Sequence, residues 1–296
     1  MPSSHIPRSG LVLLALLSLG WGFNWPIMKL VISEIPRLVF RGDCILLASI
    51  GLFGIAWISG QSIKVPAGRW PQLFALASCN IIGWNVFAIY GVSLLPSGRA
   101  AILGYTMPVW SALLSVWFLK EALTRRRLAG LVLGMSGMAL LVGAEFEKLG
   151  SAPAGVILML IAAIFWAGGL VIYKRDPLPM PIISLTAWQA LLGGIPIALA
   201  GHALESVDWA RVSFWPWFGF WYNVFIALLF CYWAWNKLVQ MVPASVSSLG
   251  SLIVPVIGVF SGMAVLGETP RWQDFAALLL VLASIATVLL PSRQVA

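Results

Sequence analysis

Charge is scarce in this chain: Asp, Glu, Lys and Arg make up 9% of its 296 residues, against roughly 25% in ordinary soluble domains. A water-facing surface cannot be built from so little. Histidine is scarcer still, with His5 near the start and His202 in a loop. That argues against a Ser-His dyad or a histidine metal cluster. The three cysteines, Cys44, Cys79 and Cys231, are odd in number, far apart and inside apolar stretches. They read as small core residues, without a disulfide or a metal site. Asn24, Asn80, Asn85, Asn223 and Asn236 all lack the Ser or Thr of a glycosylation sequon, which favours a bacterial membrane over a eukaryotic secretory one. Neither paired carboxylates in mid-span nor a phosphate-cradling loop is visible, and nothing in the sequence calls for a cofactor.

What is abundant is apolar: 60% of the residues are hydrophobic and the mean hydropathy is +0.95. Repeated runs of about 20 apolar residues fit helices crossing a hydrocarbon core about 30 Å thick. Punctuation by charge, Pro and Gly predicts ten helices, over 10–32, 37–59, 70–93, 97–119, 126–144, 153–173, 181–201, 215–238, 244–266 and 271–290. The expected fold class is therefore an all-α polytopic membrane protein. The stretch from Gly10 to Ile32 is too long for a signal-peptide core and reads as a retained first span.

The net charge of +8 comes from basic residues scattered through short connections, so nucleic acid is not an expected partner and the lipid bilayer is. With a cytoplasmic N-terminus, 11 of the 18 Lys and Arg fall on the cytoplasmic side, mainly in the 120–127 loop. The positive-inside rule then places both termini in the cytoplasm.

Pro96, Pro108 and Glu121 recur as Pro243, Pro255 and Glu268, each 147 positions on. Trp21 and Lys29 recur as Trp166 and Lys174 at 145, a slip that a two-residue loop difference explains. The halves 1–149 and 150–296 each carry five spans, an odd number, so the second must enter the membrane inverted. Inverted repeats are the architecture of alternating access about a midplane site.

Thirteen residues separate Pro108 from Glu121, about 20 Å at helical rise, which puts Pro108 and its mate Pro255 near the midplane. Proline removes the bond to the carbonyl four residues back, here Gly104 and Ser251. Two readings stand: these carbonyls line a polar cavity and receive a substrate, or the kinks are structural and healed by a neighbour.

These residues resemble the ten-helix EamA branch of the drug/metabolite transporter superfamily. The resemblance covers essentially the whole chain and rests on Trp21-Gly22, Arg41, Pro96, Pro108 and Leu119-Lys120-Glu121 with Gly130 in the first half. In the second half it rests on Pro243-Ala244-Ser245, Pro255 and Leu266-Gly267-Glu268. It implies export or exchange of metabolites through a cavity lined by helices 1, 3, 4, 6, 8 and 9. Aromatic richness and short loops look most like the amino-acid exporters of the YddG type. The first-helix carboxylate of small multidrug members is missing from Gly10 to Val31, so proton-coupled polycation export by that device is not expected.

Asn80, Trp84 and Phe87 fall on one face of helix 3, where an amide beside an indole suits an amino acid; the alternative is interhelical packing. Asn24, beside Trp25 and Pro26, makes a similar case. Tyr222 and Phe225, opposite Trp166, Tyr105 and Trp110, either clamp an apolar side chain or belong to a packing and interface belt. Few charges around many aromatics favour neutral amino acids. Arg41 and Asp43 should face protein or water, as an ion pair near Glu34 or in a coupling role. Glu121 and Glu268 read as helix-end anchors, and Lys29 and Lys237 as snorkelling groups, Lys237 also as a gate. The expectation is a monomeric inner-membrane exporter of neutral amino acids, rocking about Pro108 and Pro255. An exporter of drugs or nucleosides is the alternative, and an intramembrane enzyme or a channel are alternatives of another class.

Overall fold

Where water is absent, each backbone N–H and C=O must find its partner within the segment, and each long apolar run is helical in the computed structural model of the protein. The structure describes residues 8–120, 125–146, 154–234, 237 and 244–289. We label the spans α1 (Arg8–Val31), α2 (Arg37–Ile58), α3 (Trp70–Leu94) and α4 (Ser97–Phe118), and α5 (Arg125–Phe146). The second half holds α6 (Ala154–Arg175), α7 (Ile182–Leu204), α8 (Phe214–Ala234), α9 (Ala244–Leu266) and α10 (Trp272–Leu289). Among the described residues seven of these, α1 to α4 and α6 to α8, are long and apolar enough to cross a membrane. The other three carry shorter apolar stretches, Leu128–Leu141, Ile253–Leu266 and Trp272–Ser284.

Small residues set the seams. A Cβ on Gly42 of α2 would collide with the backbone of Ala198 in α7, and one on Gly201 would lie 2.6 Å from the Val39 nitrogen. Close backbone approach of this kind drives helix association in lipid, where the hydrophobic effect does not. These contacts run in opposite sequence directions, so α2 and α7 are antiparallel. So are α5 and α10, where Gly134 faces Ser284 and Gly137 faces Ala277, and α4 and α9, where Gly98 faces Val259 and Ala101 faces Gly258. Each pair joins helices holding the same place in their halves; antiparallel mates are what inversion produces.

Helix irregularities also recur. In α3 the segment Ser78–Gly83 winds as a π-helix, and in α8 the segment Asn223–Phe230 does the same, starting 145 positions later. Such insertions mark functional positions often, and no residue pattern had signalled them.

The two matched prolines behave differently from the expected kinks. The fourth span is two segments, Ser97–Gly104 and Met107–Phe118, with Tyr105 and Thr106 in a turn between them. Pro108 is the second residue of the new segment, where its missing N–H costs nothing. Gly104 therefore ends a helix, its Cα packed close to the Trp25 ring. Thr106 holds the turn, its hydroxyl donating to the Leu103 carbonyl at 2.6 Å. Pro255, by contrast, is buried inside a helix that runs through it. Glu121 and Pro243 lie outside the described residues, as does the Ser251 side chain. Pro26, which also lies inside a helix, frees the Gly22 carbonyl, which accepts from the Ser261 hydroxyl of α9 at 3.3 Å.

Candidate substrate site

Arg41, in the second turn of α2, is 5% exposed. Its Nη1 donates to Asn223 Oδ1 of α8 at 3.1 Å and approaches Met28 Sδ of α1 at 3.6 Å. Its Nη2 donates to Asn85 Oδ1 of α3. Both amides are fixed by their own helices: Asn85 Nδ2 donates to the Ile81 carbonyl at 2.8 Å and Asn223 Nδ2 to the Gly219 carbonyl at 3.0 Å. With the amino ends tied down, both oxygens are turned toward the guanidinium. Ile81 lies inside the π segment of α3 and Asn223 opens that of α8, so the irregular turns and the buried cation form one feature.

This corrects the expected Arg41–Asp43 pair. Asp43 points the other way and meets His202 at 3.0 Å, while Glu34 accepts from the Ser213 backbone at 2.6 Å and from its hydroxyl at 2.7 Å. Residues 41 and 43 lie about 200° apart around a helix, so an intrahelical pair was geometrically excluded. Asn85, Asn223 and Met28 were not singled out by sequence reasoning. The available signal was a lone amide within an apolar run, which is costly unless it has work to do.

Around this centre the aromatic expectations divide. Trp84 and Trp166 do meet, edge to face with centroids 5.3 Å apart, joining α3 to α6. Phe87 stacks on Phe165 at 5.5 Å. Tyr105 is buried and meets Trp25 at 6.5 Å, and Trp110 donates to the Thr106 hydroxyl at 3.3 Å. Tyr222 donates to the Gly20 carbonyl at 2.8 Å. Phe225 is 54% exposed and stacks on Trp221, so it does not join a clamp with the others. Asn80 is packing: its Nδ2 donates to Gln189 of α7 at 2.9 Å, and its oxygen fills the space a Cβ on Gly169 would need. Asn24 differs, because its Oδ1 is buried with no hydrogen-bond partner.

The end of the bundle where α2, α4 and α8 begin is tied by carboxylates at helix N-termini, where unpaired N–H groups attract negative charge. Glu205 accepts from Leu38 N at 2.8 Å and Val39 N at 3.1 Å. Glu268 accepts from Ser97 N at 2.7 Å, from the Ser97 hydroxyl at 2.8 Å and from Gly98 N at 3.3 Å. Lys29 does not snorkel: it reaches Glu268 at 3.6 Å and the Leu95 carbonyl at 2.5 Å. Arg99 and Asp274 form a buried pair at 2.7 Å beside it. Lys29, Glu268, Arg99 and Asp274 line a cavity of about 330 Å³. Lys237 is exposed. Among the described residues no group of His, Cys, Asp and Glu could hold a metal ion.

Inverted five-helix halves with irregular helices near a buried polar centre fit the architecture of a membrane transporter. The chain belongs to the EamA-like transporter family, whose model matches it twice, over residues 8–143 and 153–290. It is 27% identical over 252 residues to an uncharacterized transporter, YoaV, of Bacillus subtilis, covering 84% of this chain and 85% of that one. It is 26% identical to a probable amino-acid metabolite efflux pump of Salmonella typhimurium, covering 90% and 89%. A similarly named pump of Escherichia coli is 24% identical, covering 93% and 92%. A solved crystal structure has a TM-score of 0.68 with 19% identity, covering 94% of this chain and 96% of its own, which shares the fold. The substrate is thus a small molecule moved across a membrane.

Proposed function

We propose that this protein exports neutral amino acids, aromatic ones included, or related small metabolites across the inner membrane by alternating access. Both termini are cytoplasmic, the working unit is a monomer, and the halves 1–149 and 150–296 move against each other. The observation that carries the reading is the coincidence of mid-span irregularities, the π segments of α3 and α8 and the break in α4, with polar groups and aromatic pairs. The bundle end tied by Glu205, Glu268 and Lys29 acts as a closed gate. The Tyr105–Thr106 turn, with Pro108 behind it, is the hinge of the first half, and Pro255 is its stiffer counterpart. The relatives named as amino-acid metabolite efflux pumps support the substrate class, as does the scarcity of fixed charge around the aromatics.

The test is reconstitution in liposomes with labelled amino acids, nucleosides and cationic drugs, with and without a pH gradient. Saturable flux of neutral amino acids is expected. Flux of cationic drugs or nucleosides alone would replace this reading with drug or nucleoside export, and unsaturable conductance would make the protein a channel.

A further inference from the structure

Arg41 is a cation held inside the bundle, and among the described residues no carboxylate pairs with it. A guanidinium has five N–H donors in a rigid planar fork. Asn223, Met28 and Asn85 engage the two Nη groups, but Nε has no partner although it is buried. The two amide oxygens solvate the cation without neutralising it. Charges inside a membrane are costly and are generally found paired, yet Asn223, Met28 and Asn85 are all neutral.

A second unpartnered atom has the opposite polarity. Asn24 Oδ1 is a buried acceptor without a donor. Met28, which touches Arg41, follows Asn24 by four residues on α1, one turn or about 6 Å along the same face. An α-amino acid carries its carboxylate and ammonium on one carbon. With a hydrogen bond of about 2.9 Å at each end, such a head group has a reach on the order of one helical turn along α1. Trp21 precedes Asn24 by three residues on the same stripe and meets Tyr232 of α8 edge to face at 6.0 Å, giving an aromatic wall beside the two polar anchors.

We propose that Arg41 binds the substrate's carboxylate through Nε and its neighbouring Nη, while Asn24 Oδ1 accepts from its ammonium. Asn85 and Asn223 are positioning residues that aim the fork. The site recognises an α-amino acid head group; this deepens the export reading and rests on it.

The full-length protein in detergent is heated with L-tryptophan, tryptophan amide, tryptamine or indole-3-propionate, and the same compounds are then tested as inhibitors of amino-acid flux in liposomes. Tryptophan should raise the melting temperature, the two compounds without a carboxylate should not, and indole-3-propionate should do so weakly. Asn223→Asp gives Arg41 a resident carboxylate, so it should fold and bind tryptophan at least tenfold more weakly; Asn85→Asp serves if that variant fails to fold. Asn24→Leu should weaken tryptophan more than indole-3-propionate. Protection by tryptamine equal to that by tryptophan, wild-type affinity in the aspartate variants, or no protection by any acid would overturn the receptor. Carboxylate-dependent protection without flux would overturn export and leave the receptor standing, whereas flux without carboxylate dependence would do the reverse.

Discussion

Among the described residues two arginines are buried, Arg41 at 5% exposure and Arg99 at 3%, and they are treated in opposite ways. Arg99 meets the carboxylate of Asp274 at 2.7 Å, and that carboxylate also accepts from the Arg271 backbone N–H at 2.8 Å. Arg41 meets two amides and a thioether. A paired buried charge is a structural element that ties α4 to α10, and its removal leaves the partner stranded. A charge solvated by neutral groups keeps its field for something that comes and goes. Compensation, more than burial, separates an arginine that holds the fold from one available to a ligand.

The largest effect should come from breaking the compensated pair. Asp274→Ala should cost about 3–5 kcal/mol, because it takes the carboxylate away from a buried guanidinium, read as a lower melting temperature in detergent. Replacing both partners by apolar residues, Arg99→Met with Asp274→Leu, should recover most of that loss. If the single change proves harmless, the contrast between the two arginines fails.

The reciprocal change is smaller. Asn223→Asp supplies Arg41 with the carboxylate it lacks and should raise stability by at most about 1.5–3 kcal/mol, the range of hydrogen bonds to charged groups, while amino-acid flux falls. Higher stability with unchanged flux would make Arg41 structural like Arg99.

Glu268→Gln tests the remaining cation, Lys29, at the end where α4 begins. The cap on α4 weakens and Lys29 loses its counter-charge, for about 0.5–2 kcal/mol, with faster cysteine-reagent access from that face as the functional readout. Equal access in variant and wild type would show that this end is not a gate.

The smallest effect is that of Glu34, outside the spans. Hydrogen bonds from the Ser213 backbone and hydroxyl hold its carboxyl below the ordinary range. Its contribution is therefore present at neutral pH, where both folded and unfolded carboxyls are ionised, and is lost as pH falls through the lowered folded-state value. Melting temperatures taken down an acid series should converge for wild type and Glu34→Gln; a constant gap would remove the assignment.

How much of this was legible beforehand depends on the range of the signal. Apolar runs and the Pro96–Pro243 and Glu121–Glu268 recurrences report local composition and internal duplication, and they located ten spans and an inverted order. They did not distinguish Pro108, which starts a helix, from Pro255, which lies within one, because the difference depends on how Trp25 and Thr106 hold the preceding turn. Nor did they tell Asn80, which is packing, from Asn85, which serves Arg41; the two residues differ only in which neighbour they face.

The sequence by itself determined the membrane class, the spans and the internal repeat, since each follows from the cost of exposing or burying groups along one segment. Only the tertiary structure decided who compensates whom. Arg41 finds its amides 44 and 182 residues away, and Arg99 its carboxylate 175 residues away. Such pairings are set by the angles at which helices cross, which no local pattern records.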